Sequence, residues 1–332
     1  MTLGGDFERE ILEQPQVWER LARSDAGLRL AGALEGDVVL IGSGSSLFAG
    51  ALGALALRRR GIAAHALAAT EARSDRNAYR HKTVVAISQS GRSSDVLAAL
   101  DALEPARTIA LTNTVDSPLG KRADVTIDVE AGLEKAIPAT KSVTGTVAIL
   151  LAAASSFDEH RTRTADDLLQ ATAQIGAYLE HERTRLEAPA AAIAARRDVM
   201  ILGTDYGVPV AREAALKFKE ATYMHAEGFE AGEFRHGSAA MLDGSSVLLG
   251  IVDADGKPVV ERPMREAERS GALRYVVGTV DVDGIERLGP VVEDPYNVLA
   301  WLVTVQLLAL YVSRARGIDS DTPRGLTKAI IQ

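Results

Sequence analysis

The chain contains no cysteine. Disulfides, zinc–thiolate sites and a cysteine nucleophile are therefore excluded within these 332 residues. A cysteine-free chain fits a cytoplasmic location, and that is the expectation. Aromatic residues are scarce at 5%, whereas hydrophobic residues make up 47%. The core must then be built from Ala, Val and Leu. Basic residues are outnumbered, with 37 Lys and Arg against 45 Asp and Glu for a net charge of −8. With no basic surplus to neutralise phosphates, nucleic acid is not an expected partner. A single anionic ligand can still be held by a locally positive site. The first ten residues have neither the basic nor the apolar stretch of a signal peptide. The longest apolar run, Val298 to Val312, is shorter than the ~20 residues that span a bilayer. It contains Gln306 and leads into Arg314 and Arg316, so it reads as a buried helix and no membrane partner is expected.

What is present is alternation. Short apolar runs at Val38–Ile41, Thr83–Ser88, Thr108–Leu111 and Val125–Asp128 read as strands. Helical patterns run to about Leu57 after the first, and from Ser94 to Leu103 after the second. A helix is expected over 140–155, then a longer, charged one from about Thr164 to Arg196, broken near Pro189. The pattern then restarts. Asp198–Leu202, Ser246–Val252 and Arg274–Val277 are strands, and a helix runs from about Pro209 to Tyr223. Strands alternating with helices predict βαβ units and a parallel sheet, here in two copies. The expected division is 1–160, 161–316 and a tail over 317–332.

The two copies differ in their turns. The first carries Gly44-Ser45-Ser46 and Ser88-Gln89-Ser90-Gly91 with Ser93, each where a strand gives way to a helix. Small residues let backbone approach a ligand, and a helix N-terminus offers free N–H groups and a positive dipole end. Such residues are also ordinary turn and cap formers. Neither turn has the lysine of a P-loop or the spacing of a dinucleotide fingerprint, so nucleotide binding is not expected. The second copy has Asp205 and Asp253 in the matching turns, which would repel an anion. The first copy is expected to hold phosphate and the second to supply catalytic side chains.

Glu213, Lys217 and Glu220 fall on one helix face at i, i+4 and i+7. A solvated charge stripe is the usual meaning of that spacing. The surrounding Ala214, Ala215, Leu216 and Phe218 argue for tight packing, and desolvation favours the neutral form of a carboxylate. His236 lies in a glycine-bounded loop, Gly232 to Gly237. His225 is expected at the end of the preceding helix, in a packing or supporting role. No metal-ligand spacing is present. The tail, Asp319 to Gln332, carries Pro323 and Arg324 and then an isolated Lys328. A tail lysine can act as a lid or react with a carbonyl.

Taken together these stretches resemble the sugar isomerase (SIS) domain family. Over nearly the whole chain the likeness is to the isomerase halves of glucosamine-6-phosphate synthases and to SIS-type glucosamine-6-phosphate deaminases. It is carried by Glu8 to Pro15, Ser45-Ser46, Ser88 to Gly91 with Ser93, Glu134 through Thr140-Lys141, Glu213 to Gly237, and Asp321 to Lys328. The resemblance implies two tandem flavodoxin-like SIS domains, each a parallel sheet between helices in a three-layer α/β/α arrangement. It further implies that Ser45, Ser46, Ser88, Gln89, Ser90, Ser93, Glu134 and Thr140 line the phosphate and sugar site. Glu220 would move a proton between C1 and C2. His236, lent across a homodimer interface into a shared site, would open the sugar ring. Lys217 and Glu213 would act on sugar hydroxyls or an enediol-like intermediate, and Lys328 would meet the carbonyl. No metal or organic cofactor is implied.

The departures shape the expected activity. The synthases begin with a glutaminase domain whose nucleophile is an N-terminal cysteine, and this sequence has neither. Ala139 replaces a phosphate-loop serine, Ser238 replaces a proline, and Arg92 stands where an acid is common. The leading expectation is an aminosugar-phosphate deaminase that converts glucosamine 6-phosphate and water to fructose 6-phosphate and ammonia. The alternatives are a fructosamine-6-phosphate deglycase, formation of glucosamine 6-phosphate from free ammonia, a plain aldose–ketose isomerase, or a non-enzymatic sugar-phosphate sensor.

Overall fold

The computed structural model describes residues 2–158 and 164–327. Lys328 therefore lies outside the described residues. The chain opens with α1 (Gly5–Leu12), α2 (Gln14–Arg23) and α3 (Ala26–Ala33). Alternation follows: β1 (Val38–Gly42), α4 (Ser45–Arg58), β2 (Ala64–Ala68), the short α5 (Ala69–Ser74) and α6 (Arg76–Tyr79), then β3 (Thr83–Ile87) and α7 (Ser94–Leu103). It continues through β4 (Arg107–Thr112), α8 (Pro118–Arg122) and β5 (Val125–Asp128). Helices α9 (Lys141–Ser155), α10 (Thr164–His181) and α11 (Glu187–Ala194) precede the restart. That restart is β6 (Asp198–Gly203), α12 (Gly207–Thr222), β7 (His225–Glu230), α13 (Ala231–Phe234) and β8 (Ser246–Val252). Last come α14 (Lys257–Glu266), β9 (Leu273–Gly278), β10 (Glu286–Leu288) and α15 (Asn297–Ala315).

The chain forms two compact units. One holds the first sheet, with residues 16–134 and 141–170; the other holds the second sheet, with residues 2–15, 135–140 and 171–326. Each sheet is five-stranded and parallel, ordered β2-β1-β3-β4-β5 in one and β10-β9-β8-β6-β7 in the other. Counted from its own first strand, each has the same order, 2-1-3-4-5, so the expected internal repeat is real. In this order the connections run in opposite directions from the first strand, and the crevice between strands one and three opens at their carboxyl ends.

The central strands β1, β3, β6 and β8 are buried along their whole length. Strands covered on both faces read as continuous apolar runs, which is why these four are legible from sequence. Strands β2, β7 and β10 are not expected from the sequence. All three lie at sheet edges and are only partly buried. His225 accordingly begins β7 and is exposed, rather than closing the helix before it. The long helix expected over 164–196 is interrupted at Glu182 by the 3₁₀ turn Arg183–Leu186, not at Pro189. Pro189 sits in the first turn of α11, where a missing N–H costs nothing.

Small residues compensate for the shortage of aromatics. In the first-sheet unit a Cβ added at Gly53 of α4 would lie 2.8 Å from the Leu150 side chain, and one at Gly27 of α3 would lie 2.7 Å from Ala152 Cβ. Both helices thus approach α9 closely. Trp18 is fully buried and donates its indole N–H to Thr144 Oγ1 at 3.2 Å.

In the second-sheet unit α15 is the central helix, with α1, α11 and α12 packed against it. It is long and apolar enough to cross a membrane, yet its surface is consumed inside the unit. Its Gln306 is buried and accepts from Gln14 Nε2 at 2.8 Å, while the same amide nitrogen donates to Ile11 O at 3.0 Å.

The amino end of α1 has no cap from its own neighbours. Asp321 supplies one from the far end of the chain, accepting the amides of Phe7 at 2.7 Å and Asp6 at 3.0 Å. The segment from Asp319 to Arg324 is therefore fastened to the unit. Asp321→Ala should lower stability by about 1–2 kcal/mol, the usual worth of a helix cap. A urea midpoint within error of the parent would contradict this.

Candidate active site

The serine turns occupy the switch point of the first sheet. Strand β1 ends at Gly42, and a Cβ there would lie 2.7 Å from the Ser46 carbonyl carbon. The chain turns at Gly44 (φ 56) into α4, with half-buried Ser45 and Ser46 in its first turn and no side-chain cap on the helix. Strand β3 leads to Ser88, which is buried, then to half-buried Gln89, Ser90 and Ser93. Ser93 is the N-cap residue of α7 without making a capping hydrogen bond. Both adjacent strands thus lead into a helix N-terminus that its N-cap residue does not cap, the ordinary construction of an anion site.

Gly91 holds the second turn in place. Its φ is 61, and a Cβ there would fall 1.9 Å from Ser117 Oγ. The Gln89 carbonyl accepts from Asn113 N at 3.0 Å and Thr112 Oγ1 at 3.3 Å. Thr112 and Ser117 shape this turn, and nothing local in the sequence marks them because they lie more than twenty residues downstream.

In the second sheet the matching turns carry carboxylates. Asp253 Oδ1 accepts the Gly256 amide at 2.7 Å, taking a donor that a phosphate would need. Asp205 holds a left-handed conformation, φ 47.

Glu134 is buried and accepts both the amide of Ser142 at 3.0 Å and its hydroxyl at 2.6 Å. It therefore caps the start of α9, where a carboxylate complements the helix dipole. Thr140 is fully buried. Glu10 on α1, also fully buried, accepts the amides of Lys135 and Ala136, the latter at 3.3 Å.

The three charges on α12 come together as their spacing requires. Lys217 Nζ lies 2.6 Å from Glu220 Oε2 and 3.5 Å from Glu213 Oε1. The side chains of Lys217 and Glu213 are each 1% exposed, whereas that of Glu220 is 19% exposed. Desolvation thus falls on the inner pair, and Glu220 keeps an open face. Burial pulls the Lys217 pKa down, but the fields of Glu213 and Glu220 and their hydrogen bonds outweigh it and the net direction is up. The ammonium stays charged at neutral pH. Its stabilising effect is present below the unfolded lysine value and is lost only as pH rises through the higher folded value.

His236 is not joined to this triad by any hydrogen bond or ion pair within the described residues. It follows the four-residue α13, on an exposed turn closed by His236 N to Glu233 O at 3.0 Å. Glu230 Oε2 accepts Glu233 N at 2.8 Å and caps α13. Among the described residues no group of three or more His, Asp or Glu could hold a metal ion.

The SIS domain model matches residues 35–156 and 192–278, well over half the chain. The glutamine–fructose-6-phosphate aminotransferase (isomerizing) of Aeropyrum pernix is 33% identical over 97% of this chain and 56% of its own length. The chain thus spans about half the length of the curated relatives it matches. Among solved structures, the C-terminal domain of glucosamine-fructose-6-phosphate aminotransferase from Francisella tularensis superposes with a TM-score of 0.84 at 22% identity, covering 96% of this chain and 98% of that one. Glucosamine-6-phosphate deaminase from Thermotoga maritima superposes with a TM-score of 0.80 at 22% identity, covering 97% and 98%. Both likenesses are of fold.

Lys217→Met should destabilise the protein by about 3 kcal/mol, because it leaves Glu213 charged and buried without its cation. Glu220→Gln, which leaves Lys217 its pairing with Glu213 and opens no sealed charge of its own, should cost less. Urea titration of both variants checks the order; equal losses would contradict it.

Proposed function

The chain belongs to the SIS domain family, and from that premise we propose that it is an aminosugar-phosphate deaminase/isomerase working on a hexosamine 6-phosphate. The observation that carries the reading is the α12 triad. A carboxylate with one open face, Glu220, is held at 2.6 Å by an ammonium that has no exposure of its own. Such a carboxylate is oriented and open to a substrate, as a proton-transfer base must be.

The serine turns, through Ser45, Ser46, Ser88, Gln89, Ser90 and Ser93, bind the phosphate by amide and hydroxyl donors. Glu134 and Thr140 shape the segment that leads into α9. With the sugar ring open, Glu220 accepts the C2 proton while a C1–C2 double bond forms and the C1 oxygen gains a proton. Return of a proton to C1, with loss of one from nitrogen, leaves an imine at C2. Water adds there and ammonia leaves, giving fructose 6-phosphate. Lys217 holds and aims Glu220 through their 2.6 Å contact, and Glu213 balances the lysine from below. His236 is the acid–base group for ring opening. Its exposure, and the lack of a partner for its side chain among the described residues, suit service to a second copy of the chain, hence a homodimer with a shared site. Lys328 would meet the open-chain carbonyl. These 332 residues hold no cysteine, so they do not carry thiol-dependent glutamine hydrolysis.

The test is ammonia release from a panel of hexosamine 6-phosphates, with fructosamine 6-phosphates and simple ketose and aldose 6-phosphates as competing substrates. Turnover of glucosamine 6-phosphate is expected, and Glu220→Gln should reduce kcat by about 10²- to 10⁴-fold while still binding sugar phosphate. Absence of ammonia from every hexosamine phosphate would sink the deaminase reading. Turnover confined to fructosamine phosphates would replace it with a deglycase, and turnover confined to simple sugars with an isomerase.

A further inference from the structure

We propose that Arg324 is a positioning residue for Glu220, acting through Tyr223. The inference rests on the role given to Glu220 above. Tyr223 is the residue immediately after α12 and adopts a left-handed conformation, φ 56 and ψ 18. Glycine is the usual occupant of that place, because any Cβ there is strained. A tyrosine in it needs something to hold it.

Arg324 does so twice. Its main-chain N–H donates to Tyr223 Oη at 2.7 Å, and its guanidinium carbon sits 4.3 Å from the centre of the Tyr223 ring. A planar guanidinium over an aromatic face is a geometry that arginine makes and lysine does not. On the main-chain side the turn is closed by Thr222, whose hydroxyl donates to Phe218 O at 2.6 Å and accepts Met224 N at 3.2 Å.

Arg324 is itself anchored. Three residues upstream Asp321 grips two amides of α1, and its carbonyl accepts Ile137 N at 3.1 Å. Asp319 Oδ1 accepts Gly4 N at 3.0 Å. The tail therefore offers a fixed point from which Arg324 sets the last turn of α12. Glu220 lies on that turn, three residues before Tyr223. Helix ends fray when nothing holds them, and fraying here would break the 2.6 Å contact between Lys217 and Glu220.

The experiment compares Arg324→Ala, Arg324→Lys, Tyr223→Phe and Tyr223→Gly in the full chain. Ammonia release gives kcat and KM, thermal unfolding gives stability, and amide hydrogen exchange reports on residues 220–222. Tyr223→Gly relieves the strained backbone and removes both contacts, so its thermal midpoint should match or exceed the parent's. Its kcat should fall about tenfold with KM within about twofold, since small misplacements of a base cost rate before binding. Arg324→Ala should speed exchange at 220–222 about tenfold, with Arg324→Lys recovering only part. Tyr223→Phe, which keeps the ring, should fall between. Unchanged kcat in both Tyr223→Gly and Arg324→Ala would overturn the proposal, even if exchange is faster. Should the parent turn over no amino-sugar phosphate, the reaction assigned above fails. The exchange arm then decides separately: faster exchange at 220–222 supports the latch, and unchanged exchange overturns it.

Discussion

A lysine ammonium with no solvent exposure is the constraint on which the second-sheet unit turns. Removing such a charge from water costs several kcal/mol even after relaxation, and the cost is met only by close opposite charge. Lys217 meets it within its own helix, with Glu213 four residues before and Glu220 three residues after. That demand explains much about α12. The helix must be continuous through Glu220, must present all three charges on one face, and must be packed by small residues so that the face is sealed. Ala214, Ala215 and Ala221 beside the triad are all buried. Buried ion clusters are seldom more stabilising than apolar packing of the same volume. The triad therefore points to chemistry, and its outer carboxylate to the reacting group.

The two sheets share one strand order, so topology by itself would create the same crevice twice. What separates them is turn chemistry. The first sheet places Ser45, Ser46, Ser90 and Ser93 in these turns, whereas in the second Asp253 turns its carboxylate onto the Gly256 amide. A duplicated fold thus carries different chemistry at matching strand ends through a handful of residues, with no change in strand order.

The limits of what could be read beforehand follow the same physics. Sheet centres were legible because burial on both faces writes an unbroken apolar run, as in Val38–Ile41. The edge strands β2, β7 and β10 were not, unlike β5 at the other edge of the first sheet; His225-Ala-Glu-Gly-Phe-Glu230, for one, has mixed composition and is only partly buried. The contacts of Lys217 were legible because helical spacing is local. Depth was not: spacing says which residues share a face, but not that Lys217 is sealed while Glu220 stays open. Least legible were the long-range ties. Asp321 reaches the amides of Asp6 and Phe7 across more than 300 residues, and Gly91 is forced to be glycine partly by Ser117. No window along the chain contains both members of such a pair.

A division of labour follows from burial. The groups that orient, Lys217, Glu213, Glu134 and Glu10, are all sealed, so their hydrogen bonds are not contested by water and their positions are well defined. The groups assigned to react, Glu220 and His236, keep access to solvent and hence to a substrate. A reactive carboxylate that is open must be held from behind or it will wander among rotamers. The buried lysine holds it through the side chain, and the tail, through Arg324 and Tyr223, holds the helix turn that carries it. Precision at the exposed atom is in this way inherited from contacts that water cannot reach.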